Sequence, residues 1–227
     1  MRLCLFLILF LNCLLSVDAQ VIQTTENDSL YREDQFYVSV TYNALTNLPN
    51  NVSQNSFSTG VHVGAIRDFP LNKRRNIALA LGLGYSFNSF NQNIRISRSN
   101  PTTYTIIEAS NYSKNNFSQH FLEVPFEFRW RTSKADSYKF WRVYTGLKLG
   151  YLIASKSVFK DGSTSESQRN IKDLNRLQYG LTLSVGYNTW NGYIYYGLHP
   201  IFDGVSTTSL QPIEMSALKV GLIFYIL

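Results

Sequence analysis

The chain is poor in most devices that hold exported or catalytic domains together. It has two cysteines, Cys4 and Cys13. Both fall in a leader-like segment made of Met1-Arg2, an apolar run from Leu3 to Leu15, and Ser16-Val17-Asp18-Ala19. That order predicts a signal peptide over residues 1–19, cleaved near Ala19, so the mature chain is expected to carry no disulfide. Beyond the leader no apolar run approaches the about 20 residues a spanning helix requires. The three histidines, His62, His120 and His199, stand at no metal-ligand spacing from one another or from a cysteine, so neither a metal nor a cofactor is expected. Charged residues are 16% of the chain, with a formal net charge of +6. With no basic-aromatic recognition motif, that excess belongs on loops and turns and does not indicate nucleic acid.

Aromatics are plentiful, with 15 Tyr and 15 Phe, and so is period-two alternation. From Ile77 to Asn88 every odd position is large or apolar, and every even position is Ala, Gly, Ser or Asn. Alternation of this kind places successive side chains on opposite faces of a strand, and the run is long enough to cross a bilayer as a tilted strand. Similar segments lie at about 34–43, 57–66, 119–130, 140–153, 176–189, 193–202 and 213–227. Asn191-Gly192 reads as a tight hairpin turn. The connections alternate between long and short, as in single-chain outer-membrane barrels. Expected is an all-β, eight-stranded, antiparallel up-and-down transmembrane β-barrel over residues 34–227. A periplasmic lead-in over 20–33 precedes it, and both termini are periplasmic. A soluble sandwich fits less well, because the small faces are Gly and Ala where a wet strand face would carry Lys, Thr and Glu.

An eight-stranded lumen is filled by side chains, so the inward charges Glu123, Glu127, Arg129, Arg142, Lys148 and Lys219 are expected to form a paired network. Glu123 and Glu127 are expected to pair with Arg142 or Lys148. Trp130, Trp141 and Trp190 all flank short turns, as an interfacial aromatic girdle would. Two basic turns follow, with Arg67, Lys73, Arg74 and Arg75 in one and Arg131, Lys134 and Lys139 around the other. They are candidates for headgroup contact or for docking a periplasmic partner. Catalysis has little support: Ser118 and His120 share the outward face, but no acid on a neighbouring outward face completes a set.

Several stretches resemble the PorT family (SprT in gliding bacteria). They are Gly64 to Asn76, Leu122-Glu123-Val124-Pro125-Phe126-Glu127-Phe128-Arg129-Trp130-Arg131, Tyr138-Lys139-Phe140-Trp141-Arg142, Gln178 to Thr182, Gly186 to Asn191, and Gly221 to Leu227. The resemblance covers roughly residues 34–227; the basic turn and the Phe-Arg-Trp-Arg and Phe-Trp-Arg pieces are its more specific parts. It implies an outer-membrane barrel of the type IX secretion system, needed for export of proteinases, adhesins or gliding proteins. Such a barrel would meet outer-membrane lipid and other components of that system, and the resemblance carries over no catalytic residue. A surface adhesin acting through the long loops and a lipid-modifying enzyme are the other classes to weigh.

Overall fold

The computed structural model describes residues 34–54, 56–99, 101–132 and 140–226. The leader, the lead-in over 20–33, Lys134 and Lys139 lie outside the described residues. Among the described residues there are eleven strands: β1 Asp34–Thr46, β2 Thr59–Pro70, β3 Ile77–Asn91, β4 Ile94–Ser97, β5 Thr103–Ile106, β6 Lys114–Arg131, β7 Trp141–Lys160, β8 Ser165–Arg169, β9 Leu177–Tyr187, β10 Trp190–Gly197 and β11 Ser216–Ile226. A 3-10 turn, Ala109–Asn111, precedes β6.

Eight of these strands close a barrel. The order runs β6-β3-β2-β1-β11-β10-β9-β7, and β6 pairs back onto β7. Every ladder is antiparallel, including the closing β1–β11 and β6–β7 pairs. Closure removes all free edges within the wall. Among the described residues no helix is long and apolar enough to cross a membrane; the crossing elements are strands.

Alternation accounts for the wall. On β1, Phe36, Val38, Val40 and Tyr42 are exposed, while Gln35, Tyr37, Ser39, Thr41 and Asn43 are buried in the interior. The same division holds along β3, where Leu81, Leu83 and Tyr85 face out, and Ala78, Ala80 and Ser86 face in. The apolar surface is therefore outside and the polar surface inside, the reverse of a water-soluble sandwich.

Three features depart from the sequence reading. First, β3, β6 and β7 run well past their expected ends, to Asn91, from Lys114 and to Lys160. There the outward residues turn polar, so the alternation fades although the ladder continues. Second, the β9–β10 hairpin turns at Asn188-Thr189, because Tyr187 pairs with Trp190. Asn188 takes the left-handed conformation, with φ 57, whereas Asn191 lies in β10 with its side chain buried. Third, the seventh barrel strand ends at Gly197, and Phe202 is buried above the barrel, not on its outer face.

The longer connections fold back over one mouth. β4 and β5 form a separate hairpin, and Leu174 bridges to Phe202. These pieces, with the segment 198–215, cover the long-loop end; among the described residues the other end carries the short β2–β3 and β9–β10 turns.

Candidate functional site

The interior holds two charge clusters. Nearer the short turns, Arg129 is fully buried at 0% exposure. Its Nε and Nη2 donate to Glu127 Oε2 at 2.9 and 2.8 Å. Its Nη1 donates to Asp68 Oδ1 at 2.6 Å and to Gln35 Oε1 at 3.1 Å. The guanidinium also lies 4.5 Å from the Tyr144 ring centroid and 4.8 Å from that of Tyr225. Arg131 Nη1 reaches the other Asp68 oxygen at 2.8 Å. Two cations thus meet two carboxylates, the condition under which buried charge is tolerated.

Midway along the lumen, Lys148 Nζ lies 3.2 Å from Glu123 Oε2. His62 Nδ1 lies 3.1 Å from both Glu123 oxygens, and its Nε2 is 3.4 Å from Thr41 Oγ1. The chain continues through Thr41 to Asn43, at 2.8 Å, and from Asn43 to Asn88, at 3.3 Å. Lys219 sits over the rings of Tyr195 and Phe121, at 4.8 and 5.9 Å.

The expected pairings are found in part. Glu123 does meet Lys148. Glu127 instead meets Arg129 on its own strand, and Arg142 lies half-buried 4.5 Å from the Phe140 ring centroid. Among the described residues Arg142 joins no carboxylate. Asp68 and His62 belong to the charge network, which was not expected to include them. Asp68 fell in a stretch read as turn, although Ile66 in, Arg67 out, Asp68 in, Phe69 out continues the strand alternation.

The small face of β3 has a divided task. Ala78 and Ala80 lie in register with Arg129 and Glu127, so there they make room for charged chains. Gly64 and Gly84 instead make room for Tyr37. A Cβ on Gly64 would come within 2.7 Å of that ring, and one on Gly84 would collide with its hydroxyl.

Above the lumen the long-loop mouth is closed by apolar side chains. Phe90, Ile94, Phe117, Ile201, Phe202, Ile213 and Met215 are all buried in one cluster. Phe90 stacks on Phe117 at 5.0 Å, and Tyr104 meets Phe202 edge-on at 5.6 Å. Polar ties hold this cap. Tyr104 Oη donates to Asp173 at 2.7 Å, and burial pushes that phenol above its usual range, so it stays a neutral donor. Arg95 pairs with Glu166 and lies over the Phe159 ring at 4.4 Å.

At the opposite rim the β2–β3 turn is held tightly. Leu71 N donates to Ile77 O at 2.9 Å, Arg75 N to Asn72 O at 3.0 Å, and Arg131 Nε to Arg75 O at 2.8 Å. Arg75 has φ 52 and is half-buried. Lys73 and Arg74 stand exposed at the tip. Arg67 is exposed but lies 3.3 Å from Asp34. Arg131 is buried, so it supports this turn from inside and is withdrawn from the surface expected to meet a partner.

Residues 19–203 match the family described as outer membrane protein beta-barrel domain. The chain belongs to this family. No curated relative matches it. Among solved structures, this outer membrane beta-barrel domain is similar to Ail, the attachment invasion locus protein of Yersinia pestis. In one structure of Ail the identity is 13%, over 85% of this chain and 99% of that one, with a TM-score of 0.33. In another, described as a complex with the heparin analogue sucrose octasulfate, the identity is 15% over the same shares, with a TM-score of 0.34.

In an outer membrane beta-barrel domain the exposed apolar rows face lipid. Trp130, Trp141 and Trp190 all lie exposed on the outer face at the short-turn end. Trp141 packs on Tyr187 and Trp190 on Phe224. On β7 ten residues separate Trp141 from Tyr151, about 33 Å along the strand and about 25 Å across the membrane once tilted. Outward aromatics also mark the far boundary, with Tyr42 against Phe57 and Tyr85 against His120. His120 Nδ1 lies 2.5 Å from Tyr85 Oη, whereas Ser118 Oγ donates to Lys156 O at 3.4 Å. Ser118 and His120 are thus committed to different partners.

Proposed function

We propose that this barrel is a non-enzymatic component of the type IX secretion system. In this reading it works by docking other components through its short-turn rim, and Lys73 and Arg74 are the principal contact. Arg75 shapes the turn, and Arg67 contributes a charge already shared with Asp34. Lys134 and Lys139 belong to the same proposed rim. The girdle of Trp130, Trp141 and Trp190 fixes the height of that rim at the inner membrane–water boundary. Both termini and the short turns are periplasmic in this reading, after cleavage of the leader near Ala19.

The observation that carries it is the combination of a filled interior with a rigid basic turn. A lumen crossed by the Arg129–Asp68 and Lys148–Glu123 pairs, under an apolar cap, is built as a plug. Function then falls to the rims, and the short-turn rim offers cations on a backbone held in one shape, which lowers the ordering cost of binding. The sequence resemblance to the PorT family supplies the choice of secretion system. A clean deletion followed by mass spectrometry of the culture supernatant tests it: many secreted proteins should disappear together. Loss of surface binding with an intact supernatant would favour an adhesin instead.

The adhesin reading has one observation of its own. Leu210 is 87% exposed with φ 60, at the tip of a turn closed by Thr207 N to Gln211 O at 2.8 Å. A change in lipid A mass on deletion would favour the third class, a lipid-modifying enzyme.

A further inference from the structure

Above the apolar band β6 and β7 continue as a ladder, flanked by β8 on one side and, as far as Asn116, by β3 on the other. The register shifts between His120 and Phe121, which oppose Ala154 and Leu152 and leave Ile153 as an extra residue. A bulge of this kind re-aims every side chain beyond it. Below the bulge the odd residues of β7 face lipid; above it Ser155, Ser157 and Phe159 are buried, and Lys156, Val158 and Lys160 face outward.

That inversion places cations opposite cations. Lys156 is in register with Arg169 on one side and Ser118 on the other, and Lys160 is in register with Lys114 and Ser165. Asn116, Val158 and Ser167 form the row between them. No carboxylate stands in these three rows. Glu166, on β8, faces the other side of the sheet, where it is tied to Arg95. Asp161, in the β7–β8 turn, accepts from Ser163 N at 2.9 Å and from Thr164 N at 2.6 Å. Among the described residues none of Lys114, Lys156, Lys160 and Arg169 joins an ion pair. Like charges directly opposed across a ladder are destabilising, and here two such pairs are set side by side.

We propose that this outward face binds the phosphate groups of lipopolysaccharide, with Lys156 and Arg169 as the principal pair. Height and composition both favour a lipid headgroup. Lys156 lies three residues beyond Ile153, which is still exposed on the lipid-facing side. That is about 10 Å along the strand and about 7 Å along the membrane normal, within the headgroup layer that adds roughly 5–8 Å on each side of the hydrocarbon. Flexible stems let the ammonium groups reach up or down to a phosphate while the chain covers the sheet. Ser167, exposed on β8, supplies a neutral hydrogen-bonding group beside the charges.

The inference uses the same orientation as the proposed function, long loops outward, but its readout is independent of secretion. Purified barrel in detergent is titrated with bis-phosphorylated lipid A and with its dephosphorylated counterpart, and retained lipid is counted by native mass spectrometry. The wild type should retain the phosphorylated lipid selectively. K156Q/R169Q should retain it about tenfold or more weakly, because two charge-assisted contacts are lost. Lipid-free K156Q/R169Q should also be at least as stable as the wild type, since removing the opposed charges relieves repulsion. If that variant does not fold, R169Q alone carries the same comparison, with a smaller expected loss. Equal retention of the two lipids, unchanged retention in the variants, or full competition by millimolar inorganic phosphate would each overturn the proposal. Selective retention of the phosphorylated lipid by the purified barrel, together with intact secretion in the deletion strain, would remove the secretion reading and keep this one.

Discussion

Arg129 Nη1 and Asp68 Oδ1 lie 2.6 Å apart with both side chains fully buried, although 61 residues separate them in the chain. The contact ties β2 to β6 across the intervening β3. Because Asp68 also holds Arg131 at 2.8 Å, one carboxylate organises two buried guanidinium groups.

Asp68→Asn should therefore be among the most damaging single substitutions in the barrel. Removing one partner of a buried pair leaves uncompensated charge, at about 3–5 kcal/mol. Glu127→Gln should cost less, since Arg129 keeps Asp68 and Gln35. Urea unfolding of the refolded barrel, followed by heat-modifiable mobility on gels, ranks the two. Equal effects would show that Asp68 is not the hub.

The Tyr37 ring occupies the gap left by Gly64 and Gly84. Gly84→Ala should force the ring from its place at a cost of about 1–3 kcal/mol, typical of overpacking. Pairing it with Tyr37→Phe, which removes the hydroxyl the new methyl would strike, should recover part of the loss. Refolding yield and unfolding midpoint of the single and double variants read this directly.

The cap should loosen without the barrel. Phe202→Ala removes a ring that packs against both Tyr104 and Phe117, worth about 3–5 kcal/mol locally. Limited proteolysis should cut within residues 198–215 while the barrel band persists. Loss of the barrel band itself would mean the cap and the wall fold as one unit.

Acid should open the same region from its edge. The Arg95 hydrogen bond holds the Glu166 carboxyl below its usual 4.5. Its stabilising contribution is thus complete above that value and is lost as pH falls through the lower folded value. Glu166 is 38% exposed, so the effect is small and local. Hydrogen-exchange protection at β4 and β8, corrected for the intrinsic pH dependence of exchange, should fall between pH 5 and pH 3, and Arg95→Gln should flatten that dependence.

Much of the wall was legible because lipid and a filled lumen impose opposite chemistries on alternate residues. Ile77 to Asn88 shows both faces at once, and so does Leu122 to Arg131. The signal fails where one face changes solvent. Past Asn88, Ser89 and Asn91 face outward in polar surroundings, so β3 continues with no apolar row to announce it. Asp68 was hidden for a related reason: Arg67-Asp68-Phe69-Pro70 has turn-like composition, and only the parity of the strand reveals that Asp68 points inward. The cap was unreadable as a periodic pattern. Ile94, Ile96, Tyr104, Ile201, Phe202, Ile213 and Met215 come from separate polar segments, and only tertiary folding makes them one cluster. Asn188 took the turn from Asn191-Gly192 because the register places Asn191 inside, where its Nδ2 donates to Ile223 O at 3.1 Å.

Orientation can be checked on living cells. Gly162 sits in the β7–β8 turn, where an added Cβ meets nothing within 4 Å, so an epitope inserted there should leave the fold intact. Antibody should label unpermeabilised cells. Labelling only after outer-membrane permeabilisation would invert the barrel and exchange the roles of its rims.

The most direct measurement is the supernatant proteome of cells carrying Lys73→Glu and Arg74→Glu, with barrel abundance in the outer membrane measured alongside. Both side chains are exposed and the turn is held by other groups, so the barrel should assemble at normal levels. Docking through this rim requires that secretion then collapse toward the deletion pattern. Normal secretion by a normally abundant charge-reversed barrel would contradict it.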